Sequence, residues 1–545
     1  MKTVKRKTFY RGLLLFFGGM LGALPVVFSP FSLSVFVVLS PFCYYLLKKM
    51  REGCRLLALY LSCLIYFQGY FMLAFSFFTS MYPLDFAGLS KIASLAVVLV
   101  AMVLLPFALS SIFSLMGVAL GLFARFVPRG IPLLHALALA SLWTVFSYVQ
   151  NLGWFGVPFA PISLALTPHP VLIQSASLFG HYFLIFLIVL CNSLLAEAVF
   201  YLRRCQDKGA LLSLCLILGI LLGQFSFGAL RLSLTPSREE VKIAVLQGNV
   251  SSMEADISQS ENMLFRFASQ ARKAANADDG IDLMLWAEAA YLGTMEDAAY
   301  VQAYLGALAK ETGTIQVVGS YGLHPDSQGE ERFYNSLFVF YPDGSMSQEV
   351  YDKRRPVPFG EYLPWTSFFK AVIPPLAEIN MLSRDIQAGE TPSLFSLPFG
   401  KAGGLICFDS LYPALSRESA REGAEIFLLA TNDSWFDGSF AKDVHFAHAI
   451  MRSVECGRAT ARAGNTGISG FIDAYGRTKA RTLPDIQAHL IDTLPLSNTQ
   501  TVYTRIGDCF VLLALLYSLS LPLCFFLTSK YKNKRRKPQK KGTLV

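Results

Sequence analysis

The chain has 545 residues, of which 53% are hydrophobic and only 16% charged, and its net charge is +9. Soluble domains carry about 25% charged residues, so a wholly soluble protein is excluded. The 13% aromatic share excludes a disordered or fibrous one. The positive charge gathers in MKTVKRKTFYR at the start and KYKNKRRKPQKK at 530–541. Both runs flank apolar segments, so they read as juxtamembrane tails rather than as a nucleic-acid surface. Ten Cys with no CxxC pair give neither a disulfide framework nor a zinc motif.

In chain order, spans of the length needed to cross a bilayer lie near 12–28, 31–47, 56–78, 93–124, 133–149, 182–202 and 210–230, with an eighth at 510–528. The first reads as a retained anchor, because the nearest small-x-small triplet, Ser32-Leu33-Ser34, falls inside the next apolar run. The 93–124 run is long enough for a tilted helix plus an interfacial piece. Basic clusters at Lys48–Arg55, Arg125–Arg129 and Arg203–Lys208 fall in alternate loops, on one side with both termini. By the positive-inside rule that side is the cytoplasm, which places 231–509 outside it. Residues 150–181 contain no Lys, Arg, Asp or Glu and are rich in aromatics, Pro and Gly. They suggest either a re-entrant element covered by protein or a short helical hairpin.

The polar region, about 235–505, alternates short apolar runs with amphipathic stretches. Strands are expected at 242–250, 281–290, 314–322, 336–341, 403–410 and 425–434, and helices at 260–276, 297–311 and 443–460. This alternation predicts an α/β domain. The expected division is 1–234 as a membrane domain, 235–505 as a catalytic domain, and 506–545 as a last span with a basic tail.

Three positions offer chemistry. Glu288 follows the run LMLW, Lys353 lies in YDKRRPVPFGE, and Cys407 ends GGLIC. Ligands gather beyond the carboxyl ends of strands in α/β folds. A carboxylate can take a thiol proton, a thiolate can attack a carbonyl, and an ammonium can steady the oxyanion. Taken singly, each residue is equally at home as a cap, a solvated side chain or a buried thiol.

The order and contexts WAEAA, YDKRRPVPFGEYLP and GGLICFDSLYP resemble the nitrilase, or carbon–nitrogen hydrolase, superfamily. The eight-span frame around them resembles its membrane-bound branch, the apolipoprotein N-acyltransferases. LQGNV and ATNDSWF, followed by HFAHAIMRSVECGRATARAGNTGISG, extend the likeness over nearly the whole chain. The resemblance implies a nitrilase-like αββα sandwich beside a multi-span α-helical membrane domain. It also implies Glu288 as general base, Lys353 as oxyanion-stabilising lysine and Cys407 as nucleophile, with Glu361, Phe408 and Asp409 in support. Where this chain has Phe408-Asp409 the family usually has an aromatic residue and Glu. A Trp usual after LQGN is missing from 251–265.

The implied reaction moves a fatty acyl chain from a phospholipid donor to Cys407, then to the α-amine of a diacylglyceryl-modified apolipoprotein acceptor. It needs no cofactor and no metal. The implied location is the bacterial inner membrane, with the catalytic domain in the periplasm. A membrane-tethered amidase shares the same three residues and is the alternative. A transporter is disfavoured, because the spans hold almost no ionisable residues. His445 and His448 stand three apart on an expected helix, but no HExxH accompanies them. Trp435 and Phe436 fit an acyl channel or a core equally well, and Cys456 reads as packed.

Overall fold

The computed structural model describes residues 2–84, 90–128, 131–153, 156–234, 239–250, 260–365 and 385–536. Residues 251–259, most of the stretch lacking the expected Trp, and the basic tail beyond Arg536 lie outside them.

Among the described residues, eight helical segments are long and apolar enough to cross a membrane: Thr8–Val27, Ser29–Arg51, Leu56–Ala74, Lys91–Phe126, Pro132–Val149, His181–Leu202, Asp207–Ser233 and Cys509–Tyr531. All eight coincide with expected spans. Two differ in form. The second is broken into a 3₁₀ turn, Ser29–Phe36, and an α-helix, Ser40–Arg51. The break is capped from a neighbouring span: Leu39 N–H donates to Asn192 Oδ1, and Asn192 Nδ2 donates to the Val35 carbonyl. The fourth is one continuous helix of 36 residues, Lys91–Phe126, where a helix plus an interfacial piece was expected. At about 1.5 Å per residue it outruns the hydrocarbon core.

Between apolar helices in lipid, association depends on close packing rather than on the hydrophobic effect, and small residues permit it. The first and third spans meet in this way. A Cβ on Gly19 would lie 1.8 Å from the Tyr66 carbonyl, and one on Gly69 would lie 2.0 Å from that of Phe16.

Residues 150–181 form no hairpin of spans. Apart from 154–155, which are not described, they run as irregular backbone with a 3₁₀ turn, Ile162–Leu166, and two short helices, Pro170–Ile173 and Ala176–Phe179. Protein covers them, as backbone without regular pairing requires at such a place. Tyr412 donates to the Gly156 carbonyl at 2.6 Å, His448 Nε2 lies 2.8 Å from that of Phe159, and Gln174 donates to that of Tyr475 at 2.8 Å.

The polar region is built on two six-stranded sheets. The first has the order β12-β1-β2-β3-β4-β5, from β1 (Glu240–Gln247), β2 (Leu283–Leu285), β3 (Ile315–Pro325), β4 (Glu331–Phe340), β5 (Tyr351–Asp352) and β12 (Ala488–Pro495). The second has the order β11-β10-β9-β8-β7-β6, from β6 (Leu394–Leu397), β7 (Gly400–Ile406), β8 (Ile426–Thr431), β9 (Ala459–Gly464), β10 (Gly470–Ile472) and β11 (Thr478–Arg481). The six expected strands correspond to β1–β4, β7 and β8.

Two-residue alternation sorts the side chains into layers. Val241, Ile243 and Val245 of β1 pack between the sheets with Leu283, Leu285, Ile426 and Leu428. Ala244 and Leu246 face outward onto the helices Ser260–Ala277 and Ala299–Thr312. The second sheet is covered on its outer side by the helices Pro413–Arg421 and Ala441–Cys456, whose apolar residues share one continuous core with the membrane helices. The fold is therefore an αββα sandwich with one helical layer seated against the membrane-spanning part.

Candidate active site

Glu288 stands three residues beyond β2, and its backbone passes close under β3. A Cβ on Gly319 would lie 2.3 Å from the Ala287 carbonyl and 2.9 Å from the Glu288 Cα, so only glycine fits there. Lys353 directly follows β5, with its ammonium buried. It donates to Glu288 Oε1 and to Glu361 Oε1, each at 2.8 Å. Asn335, from β4, donates to the same two oxygens at 2.8 and 3.0 Å. The second oxygen of each carboxylate takes a backbone donor: Asn432 N–H reaches Glu288 Oε2, and Val357 N–H reaches Glu361 Oε2, both at 2.7 Å.

Cys407 directly follows β7 and opens the 3₁₀ turn Cys407–Leu411, with a left-handed φ of +49°. Burial and the Glu288 carboxylate push its thiol well above its ordinary value, against the pull of Lys353. The resting sulfur is therefore a neutral thiol, and to act as a nucleophile it would need a base to take its proton. Burial would lower Lys353, but Glu288 and Glu361 outweigh it and hold the ammonium well above its ordinary value. A lysine so held stays charged and can face developing negative charge.

Asp409 does not bond to Lys353. Its oxygens accept from Ile406 N–H at 3.0 Å, Arg354 N–H at 3.2 Å, Arg355 N–H at 2.8 Å and Tyr351 O–H at 2.9 Å. It thus ties the turn that carries Cys407 to the segment that carries Lys353. Phe408 lies edge-on to Tyr412, with ring centroids 5.5 Å apart.

Burial pushes the Asp409 carboxyl from its ordinary 3.8 up to about 6, against the pull of Lys353 and the hydrogen bonds. An acid raised in this way binds more protons folded than unfolded between those values. Its contribution to stability is present at low pH and is lost as pH rises through about 6. Thermal melts from pH 4 to 7 should show wild-type stability falling across that window relative to Asp409→Asn. Parallel curves would rule the assignment out.

Two buried residues that sequence reasoning did not assign to the site, His445 and Asp433, lie beside the thiol. His445, Asp433 and Cys407 place a ring nitrogen, a carboxylate oxygen and the sulfur within 4.8 Å of one another. Arg462 donates to Asp433 Oδ2 at 2.7 Å and so supplies the positive charge an ion would bring. His448 points elsewhere, to the Phe159 carbonyl. Phe436 packs on Phe77 at 5.0 Å and Phe159 at 5.8 Å, joining the site's rim to the membrane part. Cys456 is fully buried, as expected of a packed thiol. Asn335 carried one signal in the sequence, an amide inside the apolar strand YNSLFVF, where a buried amide needs partners.

A two-sheet αββα sandwich with a strand-end thiol and a buried Glu–Lys–Glu group defines a carbon–nitrogen hydrolase domain, and the family model "Carbon-nitrogen hydrolase" matches residues 242–503. A second model, "Apolipoprotein N-acyltransferase N-terminal domain", matches residues 18–194. An apolipoprotein N-acyltransferase of Geobacter metallireducens is 31% identical over 70% of this chain and 72% of its own length. One from Thermotoga maritima is 30% identical over 75% and 76%. One from Nostoc sp. is 26% identical over 87% and 91%. The chain belongs to the apolipoprotein N-acyltransferase family. With eight helices among the described residues long and apolar enough to cross a membrane, and with these bacterial relatives, it is a multi-pass bacterial membrane protein of that family.

Proposed function

We propose that the chain moves a fatty acyl group from a phospholipid, through a thioester on Cys407, to the N-terminal α-amine of a diacylglyceryl-cysteine apolipoprotein. In the first half-reaction Glu288 takes the thiol proton and the sulfur attacks the ester carbonyl. Lys353 faces the oxyanion, and the proton passes to the departing lysophospholipid oxygen. In the second half-reaction the α-amine attacks the thioester, the C–S bond breaks and the sulfur recovers a proton. That proton is the one the amine gives up, relayed through a carboxylate, and the other stays on the amide nitrogen. A thioester keeps the acyl group reactive while dividing one difficult transfer into two easier steps.

The observation that supports this reading is the setting of the thiol. The helical layer behind Cys407 shares its apolar core with the membrane helices, where both lipid-linked substrates would reside. The test is to incubate the purified chain with phospholipid vesicles and a diacylglyceryl-cysteine peptide. Triacylated peptide is the expected product. Release of free fatty acid without it would favour the amidase alternative.

The same reading divides the chain into a membrane domain (1–234), a catalytic domain on the periplasmic face (235–505) and a last span with a cytoplasmic tail (506–545). Cysteines introduced at Ser327 and Lys540 in a cell membrane should label from opposite sides. Labelling of both from one side would overturn the proposed orientation.

A further inference from the structure

The proposed mechanism leaves unexplained what keeps Cys407 in its left-handed conformation. A non-glycine residue holds such a φ only where its surroundings over-determine it. Two side chains converge on the Cys407 carbonyl. Ser410 Oγ donates to it at 2.8 Å, and His445 Nε2 lies 3.1 Å away.

On its other edge the imidazole meets Asp433, with Nδ1 2.7 Å from Oδ1. Thr431 donates to that same oxygen at 2.7 Å, and Arg462 to the other at 2.7 Å. Burial would raise the Asp433 carboxyl, but His445 and Arg462 outweigh it and hold the group well below the usual carboxylate range. Asp433 is thus an acceptor, as is the peptide oxygen opposite; Nε2 also lies 3.1 Å from the Ser410 Oγ and Nδ1 3.2 Å from the Arg462 guanidinium. The helix bearing His445 is fixed in turn. One turn on, His448 meets the Phe159 carbonyl, and near its end Glu455 accepts from His181 N–H at 2.8 Å. Both of those partners belong to the part that carries the membrane helices.

We infer that Asp433 and His445 are positioning residues for the nucleophile: the carboxylate orients the ring, and the ring's Nε2–H pins the Cys407 carbonyl. The inference rests on the reading of Cys407 as nucleophile. It adds that the sulfur's direction of attack is set through its own backbone, from a helix anchored on the membrane part.

The test compares His445→Gln with His445→Asn in the full chain. Glutamine carries an amide nitrogen where the ring carries Nε2 and can still donate to the carbonyl. Asparagine reaches only the Nδ1 position. The readout is the rate at which an acyl adduct forms on Cys407 from phospholipid vesicles, followed by mass spectrometry, with thermal melts as a control for folding. His445→Asn should slow adduct formation by about 30-fold or more, and His445→Gln by less than about fivefold, the scale of losing one buried hydrogen bond against keeping it in a replacement.

Equal rates in the two variants would overturn the inference. If both fall together, the imidazole acts as an acid or base on the neighbouring sulfur instead. If His445→Asn does not fold, Ser410→Ala removes the other donor to the same carbonyl. A fall of about threefold or more would then support the pinned carbonyl, and an unchanged rate would overturn it. A wild-type chain that forms no adduct on Cys407 would refute the proposed function itself, which keeps the two failures apart.

Discussion

Replacing Cys407 by serine should lower acyl transfer by about 10³-fold or more while leaving folding and membrane insertion intact. Serine matches cysteine in shape, so it can occupy the same left-handed turn and leave the hydrogen bonds to the 407 carbonyl in place. What changes is acidity. Burial and Glu288 already push the thiol well above its ordinary value, so a carboxylate base works near its limit on sulfur. A hydroxyl is many orders less acidic than a thiol. The check is the mass of the purified variant after incubation with phospholipid, beside its melting temperature. Serine turnover at the wild-type rate would remove Cys407 from the role of nucleophile.

Glu288→Gln is expected to block formation of the thioester itself, by about 10²–10⁴-fold, the usual worth of a general base. The substitution keeps an oxygen for Lys353 and Asn335 to donate to, and sets its amide nitrogen where Oε2 accepted from the Asn432 N–H. Lys353 also keeps Glu361 at 2.8 Å, so its ammonium does not lose its charged partner. Removing one partner of a buried ion pair is otherwise strongly destabilising. Glu361→Gln should act differently. Its carboxylate bonds to Lys353, Asn335 and the Val357 amide, so it is expected to slow the later amine attack more than the first step. Assaying the half-reactions separately decides the matter, with adduct on Cys407 as the readout for the first. Normal adduct in Glu288→Gln would show that another group deprotonates the thiol.

Much of this molecule is legible in its sequence, because the signals concerned are local. Hydropathy over about twenty residues marks a span. Two-residue alternation in stretches such as KIAVLQ separates the inner face of a sheet from its outer one. Glu288, Lys353, Glu361 and Cys407 stand out because each sits at a strand end or in a turn within a recognisable context. The last four strands, β9–β12, were not legible. ATARAG in β9 does alternate, with Ala459, Ala461 and Ala463 facing the core between the sheets, but alanine is a helix former and too weakly apolar to mark a strand.

The tertiary structure alone decided the remainder, and the reason is distance along the chain. Asn335 meets Glu288 across 47 residues, and the Asn432 amide meets it across 144. His445 reaches the Cys407 carbonyl across 38, from a helix whose buried face looks like any other. No periodicity encodes such pairings; they arise when strands from separate βα units line up and their ends converge. The uncharged 150–181 stretch shows the same division. Its composition excluded a solvated loop, but only the packing of Tyr412, His448 and Glu455 against it, or against its end at His181, made it the seat of the catalytic layer on the membrane helices.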